Sequence, residues 1–177
     1  MEISLQNVKA GDMSVLRNLF ELYLYDFTEY DGEDVNEHGY YGYNHLDHYW
    51  TEPGRSAYFI RCNRKLAGFS LVRDIADEKW GVVHILSEFF VMRKYRRMKV
   101  GLAAAQQTFD LFHGRWRVTE VPNNTPAQLF WQNVINVYTH GHYRNITRLD
   151  WDGPVQEFSV PADLQDDPQF PAQSSPQ

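Results

Sequence analysis

The sequence is poor in cysteine, in basic residues and in long apolar runs, and each shortage excludes a class of protein. Its single cysteine, Cys62, forbids an internal disulfide and indicates a reducing compartment. No apolar run approaches the roughly 20 residues that a membrane-spanning helix needs. Lys and Arg number 17 against 23 Asp and Glu, and the resulting charge of −6 argues against general nucleic-acid binding. Met1 to Gln6 lack the basic and apolar regions of a secretory signal, so we expect a cytoplasmic protein.

What is present is the composition of a globular chain. Of the 177 residues, 43% are hydrophobic and 15% aromatic, which is enough to bury a sizeable core. We expect one domain over residues 1–160. The segment 161–177 is rich in Pro, Gln, Asp and Ser, and we expect it to be a loose tail.

The periodicity of apolar residues predicts an α/β (α+β) fold. The predicted order is strand, helix, three strands, helix, strand, helix and two strands. Three consecutive strands followed by strand–helix–strand–helix predict a mixed, mostly antiparallel sheet of six to seven strands with helices on both faces. Residues 29–50 show no regular pattern and are predicted to be irregular.

A basic segment joins a predicted strand to a predicted helix. The seven residues from Arg93 to Lys99 include five Lys and Arg, between an apolar run that ends at Val91 and an Ala-rich stretch that begins at Leu102. The first turn of a helix has unpaired N–H groups and positive partial charge, so a basic loop there favours an anion. Gly101 permits a ligand to approach the backbone closely. The segment therefore predicts a diphosphate site, the alternative being a solvated basic loop.

This segment resembles motif A of the GCN5-related N-acetyltransferases (GNAT), whose turn is Arg/Gln-x-x-Gly-x-Gly/Ala. Arg96, Val100 and Gly101 match it, whereas Lys99 stands where the first glycine usually lies. A lysine there could crowd the phosphates, require a changed turn, or add a cation. Residues 124–131 resemble motif B, Asn-x-x-Ala-x-x-Phe/Leu-Tyr, at a predicted helix start.

The resemblance implies the GNAT fold, in which acetyl-CoA enters between the fourth and fifth strands. It implies acetyl-CoA (coenzyme A) as the co-substrate, and no metal motif such as HExxH or a cysteine pair occurs in the sequence. The residues that it implies for cofactor binding are Phe90, Val91, Arg96, Arg97, Met98, Lys99, Val100, Gly101, Leu102, Asn124, Phe130 and Trp131.

Two residues are candidates for proton transfer. Glu88 lies on the strand expected to face the thioester and is the candidate base, unless it is exposed on the opposite strand face. Trp131 stands where the family often has a Tyr, and an indole cannot protonate a thiolate. Tyr138 lies two helical turns further along the same face and is the candidate acid, with a packed core Tyr as the alternative. A thiolate is also a fair leaving group without an acid.

An acidic and aromatic segment precedes the second strand. Residues 21–50 contain eight of the 23 acidic residues, nine aromatics and no Lys or Arg. Carboxylates and aromatic faces attract ammonium groups, although a solvated acidic loop with inward-packed aromatics is equally compatible with this composition. In the GNAT family this segment helps to build the acceptor site, and the candidate substrate-binding residues here are Tyr25, Asp26 and Tyr30.

Together these patterns predict an acetyl-CoA-dependent N-acetyltransferase. We expect acetyl transfer to a primary amine of a small, cationic substrate by direct attack in a ternary complex. The expected partner is this small molecule, without nucleic acid or membrane, and a homodimer is left open. The alternatives are acetylation of a protein or peptide, and a catalytically silent acyl-CoA-binding module, which Lys99 and Trp131 keep open.

Overall fold

Seven strands form one mixed sheet in the computed structural model, which describes residues 1–161 and leaves the rest of the predicted tail outside the described residues. The sheet order is β1-β2-β3-β4-β5-β7-β6. The β4–β5 pair is parallel, whereas β1–β2, β5–β7 and β6–β7 are antiparallel, so the predicted mixed sheet is confirmed. The strands are β1 (Ile3–Asn7), β2 (Arg55–Cys62), β3 (Lys65–Asp77), β4 (Gly81–Val91), β5 (Gly114–Thr119), β6 (Arg144–Arg148) and β7 (Trp151–Val160).

Four α-helices accompany the strands in the described residues, and their order along the chain agrees with the prediction except for one short helix. They are α1 (Met13–Asp31), α2 (His48–Thr51), α3 (Val100–Asp110) and α4 (Thr125–Tyr138). None of these helices is long and apolar enough to cross a membrane.

The prediction that residues 29–50 are irregular is wrong at both ends. α1 continues to Asp31, where Gly32 ends it with a left-handed φ of 69° and an N–H bond to the Thr28 carbonyl. The short helix α2 lies at the other end of the segment. The prediction was wrong at these two places because helix ends depend on the backbone conformation of the capping residues, which the spacing of apolar residues does not reveal.

Backbone geometry defines one hairpin turn and one helix cap. Asn63 and Arg64 form the turn between β2 and β3, and both have positive φ, as a tight hairpin turn requires. Asn124 caps α4, because its side chain accepts a hydrogen bond of 3.0 Å from the Ala127 N–H, with a proline in the first turn.

The described chain divides into two compact units. The first contains Met1–Val72 and Glu88–Ala104, and the second contains Arg73–Ser87 and the residues from Ala105 onward. The core of the first unit is aromatic, and its Phe20 ring stacks on Phe69 at 4.5 Å. α1, β2, β3 and the end of β4 therefore share one packed core.

The second unit has its own aromatic core, centred on Trp116 of β5. Trp116 is fully buried and contacts Phe109 of α3 edge-on at 5.1 Å. Phe158 of β7 packs against Phe109 at 4.9 Å. β5, β7 and the end of α3 are thereby held together by ring contacts.

Candidate active site

The segment between β4 and α3 has an unusual backbone conformation. After a short 3-10 turn at Arg93–Tyr95, both Arg97 and Lys99 have a φ of 61°. Side chains other than glycine rarely adopt this left-handed conformation, and such residues concentrate at functional turns. Lys99 thus takes the conformation that glycine favours. Turns of successive backbone N–H groups with left-handed residues are a common form of anion-binding site.

The first turn of α3 opens directly from this segment. The first intrahelical bond is donated by the Ala103 N–H to the Lys99 carbonyl at 3.1 Å. The N–H groups of Gly101 and Leu102 precede it, so they lie at the N-terminal end of the helix, where the dipole favours an anion. Val100 is fully buried in a core cluster of the first unit and anchors the start of the helix.

Two cations of the basic segment are paired with an acid of α1. Arg93 donates from Nε to Asp26 at 2.9 Å, and Arg96 pairs with the other carboxylate oxygen of Asp26. Arg96 also donates from Nε to the Val91 carbonyl at 2.7 Å. Asp26, predicted to contact substrate, therefore fastens the basic turn to α1.

Two other cations of the segment, Arg97 and Lys99, form no ion pair within residues 1–161. Both side chains are exposed. Met98 between them is half exposed. The turn therefore combines backbone N–H groups with two cations that are available to an anion.

Glu88 accepts hydrogen bonds from two tyrosines. The Tyr23 hydroxyl donates to Oε2 at 2.7 Å, and the Tyr43 hydroxyl donates to Oε1 at 3.0 Å. Burial, followed by the nearby Glu88 carboxylate, raises the pKa of Tyr23 well above its ordinary value. Glu88 is half-buried among these rings, so it does not lie on an exposed strand face.

The part of the acidic segment that follows α1 is held against this helix by the Glu21 carboxylate. The N–H groups of Tyr41 and Gly42 donate to Glu21 at 2.9 and 3.2 Å. This anchor places Tyr43 beside Glu88. Sequence reasoning missed Tyr23, Tyr43 and Glu21 as site residues, and the only signal for them was the excess of aromatics and acids in residues 21–50.

The predicted substrate-binding residues lie on the C-terminal half of α1. Tyr25 is exposed, whereas Tyr30 is half-buried and packs edge-on against Phe27 at 5.9 Å. Tyr25 and Asp26 line a cleft of about 320 Å³ whose remaining walls are Thr28, Glu29 and Arg93.

The path of β4 at Phe90 is fixed by a close backbone approach. A Cβ atom on Gly68 of β3 would lie 1.8 Å from the Phe90 carbonyl oxygen, so only glycine fits there. The Met92 N–H donates to the Ala67 carbonyl at 2.9 Å. β3 therefore sets the position of Phe90 and Val91, the two residues predicted to flank pantetheine.

The remaining predicted site residues belong to the second unit. Trp131 is buried, and Phe130 packs edge-on against it at 4.8 Å. Both lie on α4, the helix that Asn124 caps. Tyr138 donates to Asp110 at 2.7 Å, and burial followed by Asp110 raises the pKa of Tyr138. A raised pKa weakens Tyr138 as an acid, so this geometry favours the alternative of a packed tyrosine.

The pairing of β4 with β5 ends before β4 does. The parallel ladder runs from Val83 and Arg115 to Leu86 and Val118, whereas β4 continues to Val91. Within residues 1–161 no group of three or more His, Cys, Asp or Glu side chains is placed to hold a metal ion.

Comparison with solved structures identifies the architecture. An acetyltransferase from Thermus thermophilus matches with a TM-score of 0.68 at 15% identity, over 90% of this chain and 98% of the other. A GNAT-family acetyltransferase from Staphylococcus aureus matches with a TM-score of 0.59 at 16% identity, over 89% and 99%. The chain has the GNAT fold. The PaiA N-acetyltransferase of Thermoplasma acidophilum, solved with coenzyme A, also matches, with a TM-score of 0.59 at 14% identity, over 90% and 100%.

The GNAT fold predicted from two short motifs is therefore confirmed. No protein-family profile matches the sequence, and no curated protein does so. Identity to these three acetyltransferases is 14–16%, so the likeness lies in the arrangement of strands and helices.

Proposed function

We propose that the protein is an acetyl-CoA-dependent N-acetyltransferase that acts on a primary amine of a small, cationic molecule. The observation that carries this proposal is the turn at residues 96–99. In a chain with the GNAT fold, it places left-handed backbone at the start of α3, with two cations that form no ion pair within residues 1–161. This combination suits a diphosphate such as that of coenzyme A.

Each part of the turn has its own role in binding acetyl-CoA. The N–H groups of Gly101 and Leu102 contact the diphosphate, and Arg97 and Lys99 add charge. Arg96 acts through its bonds to Asp26 and Val91, which keep the turn in shape. Phe90 and Val91 flank the pantetheine arm, and the cofactor contacts of Asn124, Phe130 and Trp131 stay predictions from the sequence.

The proposed reaction is a direct transfer without an acyl-enzyme. The amine nitrogen attacks the thioester carbonyl carbon, the C–N bond forms, and the C–S bond breaks to release the thiolate of coenzyme A. Glu88 takes the proton that the amine loses. Tyr23 and Tyr43 are positioning residues, because their hydroxyl groups hold the Glu88 carboxylate at both oxygens.

Charge and exposure on α1 support a cationic acceptor. The cleft beside Tyr25 carries Glu29, its Arg93 wall is paired with Asp26, and residues 21–50 contain no Lys or Arg. An exposed tyrosine face adds attraction for such a group. A small polyamine or an aminoglycoside fits these features.

The test is thioester turnover with a panel of acceptors. Release of free thiol from acetyl-CoA is followed with spermidine, kanamycin and a lysine-containing peptide, and coenzyme A binding is measured by calorimetry. Thiol release that depends on a small amine supports the proposal. Release with the peptide alone favours a protein acetyltransferase. Tight coenzyme A binding without release by any acceptor favours the silent module and contradicts the proposed activity.

A further inference from the structure

Residues 32–47 connect α1 to α2 and contain neither helix nor strand, although every one of them is described. This connection nevertheless places the Tyr43 hydroxyl 3.0 Å from Oε1 of Glu88. A loop that joins no sheet and no helix depends on other contacts to hold one hydroxyl group at hydrogen-bond distance. The contacts that fix Tyr43 are therefore candidates for a role in the proposed reaction.

Glu21 of α1 binds this connection with both of its carboxylate oxygens. Oε2 accepts the Tyr41 N–H at 2.9 Å, and Oε1 accepts the Gly42 N–H at 3.2 Å. Gly42 has a left-handed φ of 74°, a conformation that directs successive N–H groups towards one anion. Hydrogen bonds to an ionised acceptor are about twice as strong as neutral ones, so Glu21 fixes the backbone directly before Tyr43.

The residue that precedes Glu21 on α1 fixes the ring of Tyr43. Phe20 is buried, and its ring stacks on that of Tyr43 at 4.4 Å. The Phe20 ring also packs edge-on against Tyr23 at 5.8 Å, and Tyr23 donates to the other oxygen of Glu88. Adjacent residues of one helix thus hold the backbone before Tyr43 and the ring itself, and together they set the direction of its hydroxyl group.

A second contact joins residues 32–47 to α1 at a greater distance in sequence from Tyr43. Arg17 pairs with Asp47 at 3.0 Å, and both side chains are more than half exposed. Exposed pairs of this kind contribute little to stability. The Asp47 side chain also makes no capping bond to α2. Loss of this pair should leave Tyr43 in place, which makes it a comparison for the contact of Glu21.

Glu21 and Asp26 lie on the same helix and hold different parts of the first unit. Asp26 pairs with Arg93 and Arg96 and so fastens the basic turn. Glu21 instead binds two N–H groups of the connection that carries Tyr43. A change at Glu21 should therefore disturb Tyr43 without altering the turn that is proposed to bind coenzyme A.

We propose that Glu21 is a positioning residue for acyl transfer and acts on Glu88 through Tyr43. The inference rests on the proposed function, in which Glu88 takes the proton that the attacking amine loses. By composition, Glu21 counts among the acids that attract a cationic acceptor. Its bonds give it a different role, because its charge holds the backbone that orients the Tyr43 hydroxyl towards Glu88.

A double-mutant cycle with Tyr43→Phe (Y43F) tests this role. Glu21→Gln (E21Q) replaces one of the two acceptor oxygens by an amide N–H group, which faces a backbone N–H and loosens the connection. The measurements are kcat for thiol release with whichever of spermidine and kanamycin is acetylated, and coenzyme A affinity by calorimetry. Urea denaturation establishes that each variant is folded.

E21Q should lower kcat about fivefold, as Y43F does, because both variants remove the same hydrogen bond from Glu88. The double variant should stay within about twofold of Y43F, since Glu21 has nothing left to position. E21Q should also reproduce the pH–rate profile of Y43F and keep the coenzyme A affinity of the wild type. Asp47→Asn, which removes the same charge and the other contact with α1, is the matched control and should leave kcat unchanged.

A wild-type kcat in E21Q overturns the proposal. A further fivefold loss when E21Q is added to Y43F also overturns it, because Glu21 would then act by a route other than Tyr43. Both results leave acyl transfer intact. If the wild-type protein releases no thiol with either amine, the proposed function fails, and this role of Glu21 falls with it. Glu21→Asp, which keeps the charge and shortens the side chain, repeats the cycle with the same criteria should E21Q fold poorly.

Discussion

The hydroxyl of Tyr23 lies 2.7 Å from Oε2 of Glu88, across 65 residues of sequence. The contact joins the middle of α1 to the end of β4, and Tyr43 completes it from the acidic segment at 3.0 Å. In the proposed reaction the two phenols orient the carboxylate that takes the proton. The acidic segment therefore contributes to the proposed catalytic group as well as to the charge around it.

Replacing Glu88 by Gln should lower kcat about 100-fold, as expected for loss of a proton acceptor. The loss should be greatest below the pKa of the acceptor amine, where the ammonium form dominates. Tyr43→Phe removes one hydrogen bond and should lower kcat only about fivefold. The measurement is the pH–rate profile of thiol release for each variant. Glu78→Gln (E78Q), at an exposed position, is the control. A Glu88→Gln profile like that of the wild type would end the assignment of Glu88 as base.

Lys99 permits a test of the turn at a single position. Lys99→Gly keeps the left-handed backbone and removes one cation, so coenzyme A affinity should fall no more than about threefold. Lys99→Ala removes the same cation, but its Cβ is disfavoured at a φ of 61°, so it should be less stable than Lys99→Gly by about 1 kcal/mol. Chemical denaturation and calorimetry measure the two effects.

Arg64 supplies the matched control, because it has a φ of 67° in the hairpin between β2 and β3. Arg64→Gly and Arg64→Ala should show the same difference in stability and no change in coenzyme A affinity. Arg97→Ala combined with Lys99→Gly should weaken binding about tenfold at low salt and less at high salt. Wild-type affinity at low salt, or a salt dependence as steep as that of the wild type, in the double variant would contradict a role for these charges.

The features predicted from sequence are those that neighbouring residues determine. The basic turn, the Ala-rich start of α3 and the Asn124 cap are each encoded within a few residues. The hydrogen bonds from Tyr23 and Tyr43 to Glu88 are not encoded by neighbouring residues, because these side chains meet only after the chain has folded. Likewise, the composition of residues 93–99 indicated five available cations, whereas Asp26 of α1 neutralises two of them.

Glu120 left a weak signal in the sequence. It continues the alternation of buried Trp116 and Val118, so its side chain was due to lie on the same face of β5. An acidic residue in line with two buried apolar residues of a strand indicates a functional role or a partner that the local sequence does not show. Sequence alone could not show that its neighbour is Gln156, because Gln156 comes from β7.

Gly68 should not tolerate a side chain. Gly68→Ala places a Cβ against the Phe90 carbonyl oxygen, and the backbone of β3 or β4 has to move. The free energy of unfolding should fall by about 2–3 kcal/mol. Gly11→Ala, which meets nothing within 4 Å, should stay within about 0.5 kcal/mol of the wild type. Equal stability of the two variants in urea denaturation would contradict the close approach.

Glu120 should make stability depend on pH. Its pKa is raised to about 8 in the folded state, from 4.5 for an ordinary glutamate. Between these values the folded protein keeps a proton that the unfolded chain has lost, so stability falls as pH rises through this window. The expected loss is about 3 kcal/mol between pH 5 and pH 8. Urea denaturation at several pH values measures it.

E120Q should remove most of this slope, and E78Q should retain it. The informative quantity is the change in the free energy of unfolding of E120Q with pH, rather than its absolute value. This change should be small because an uncharged amide does not titrate in this range. A slope in E120Q as steep as that of the wild type would show that a group other than Glu120 titrates in this range.

The central claim is that the start of α3 binds a diphosphate, and a crystal structure with coenzyme A tests it most directly. We predict phosphate oxygens within about 3 Å of the Gly101 and Leu102 N–H groups, with Arg97 and Lys99 beside them. Coenzyme A bound at another surface, with solvent at these two N–H groups, would contradict the account.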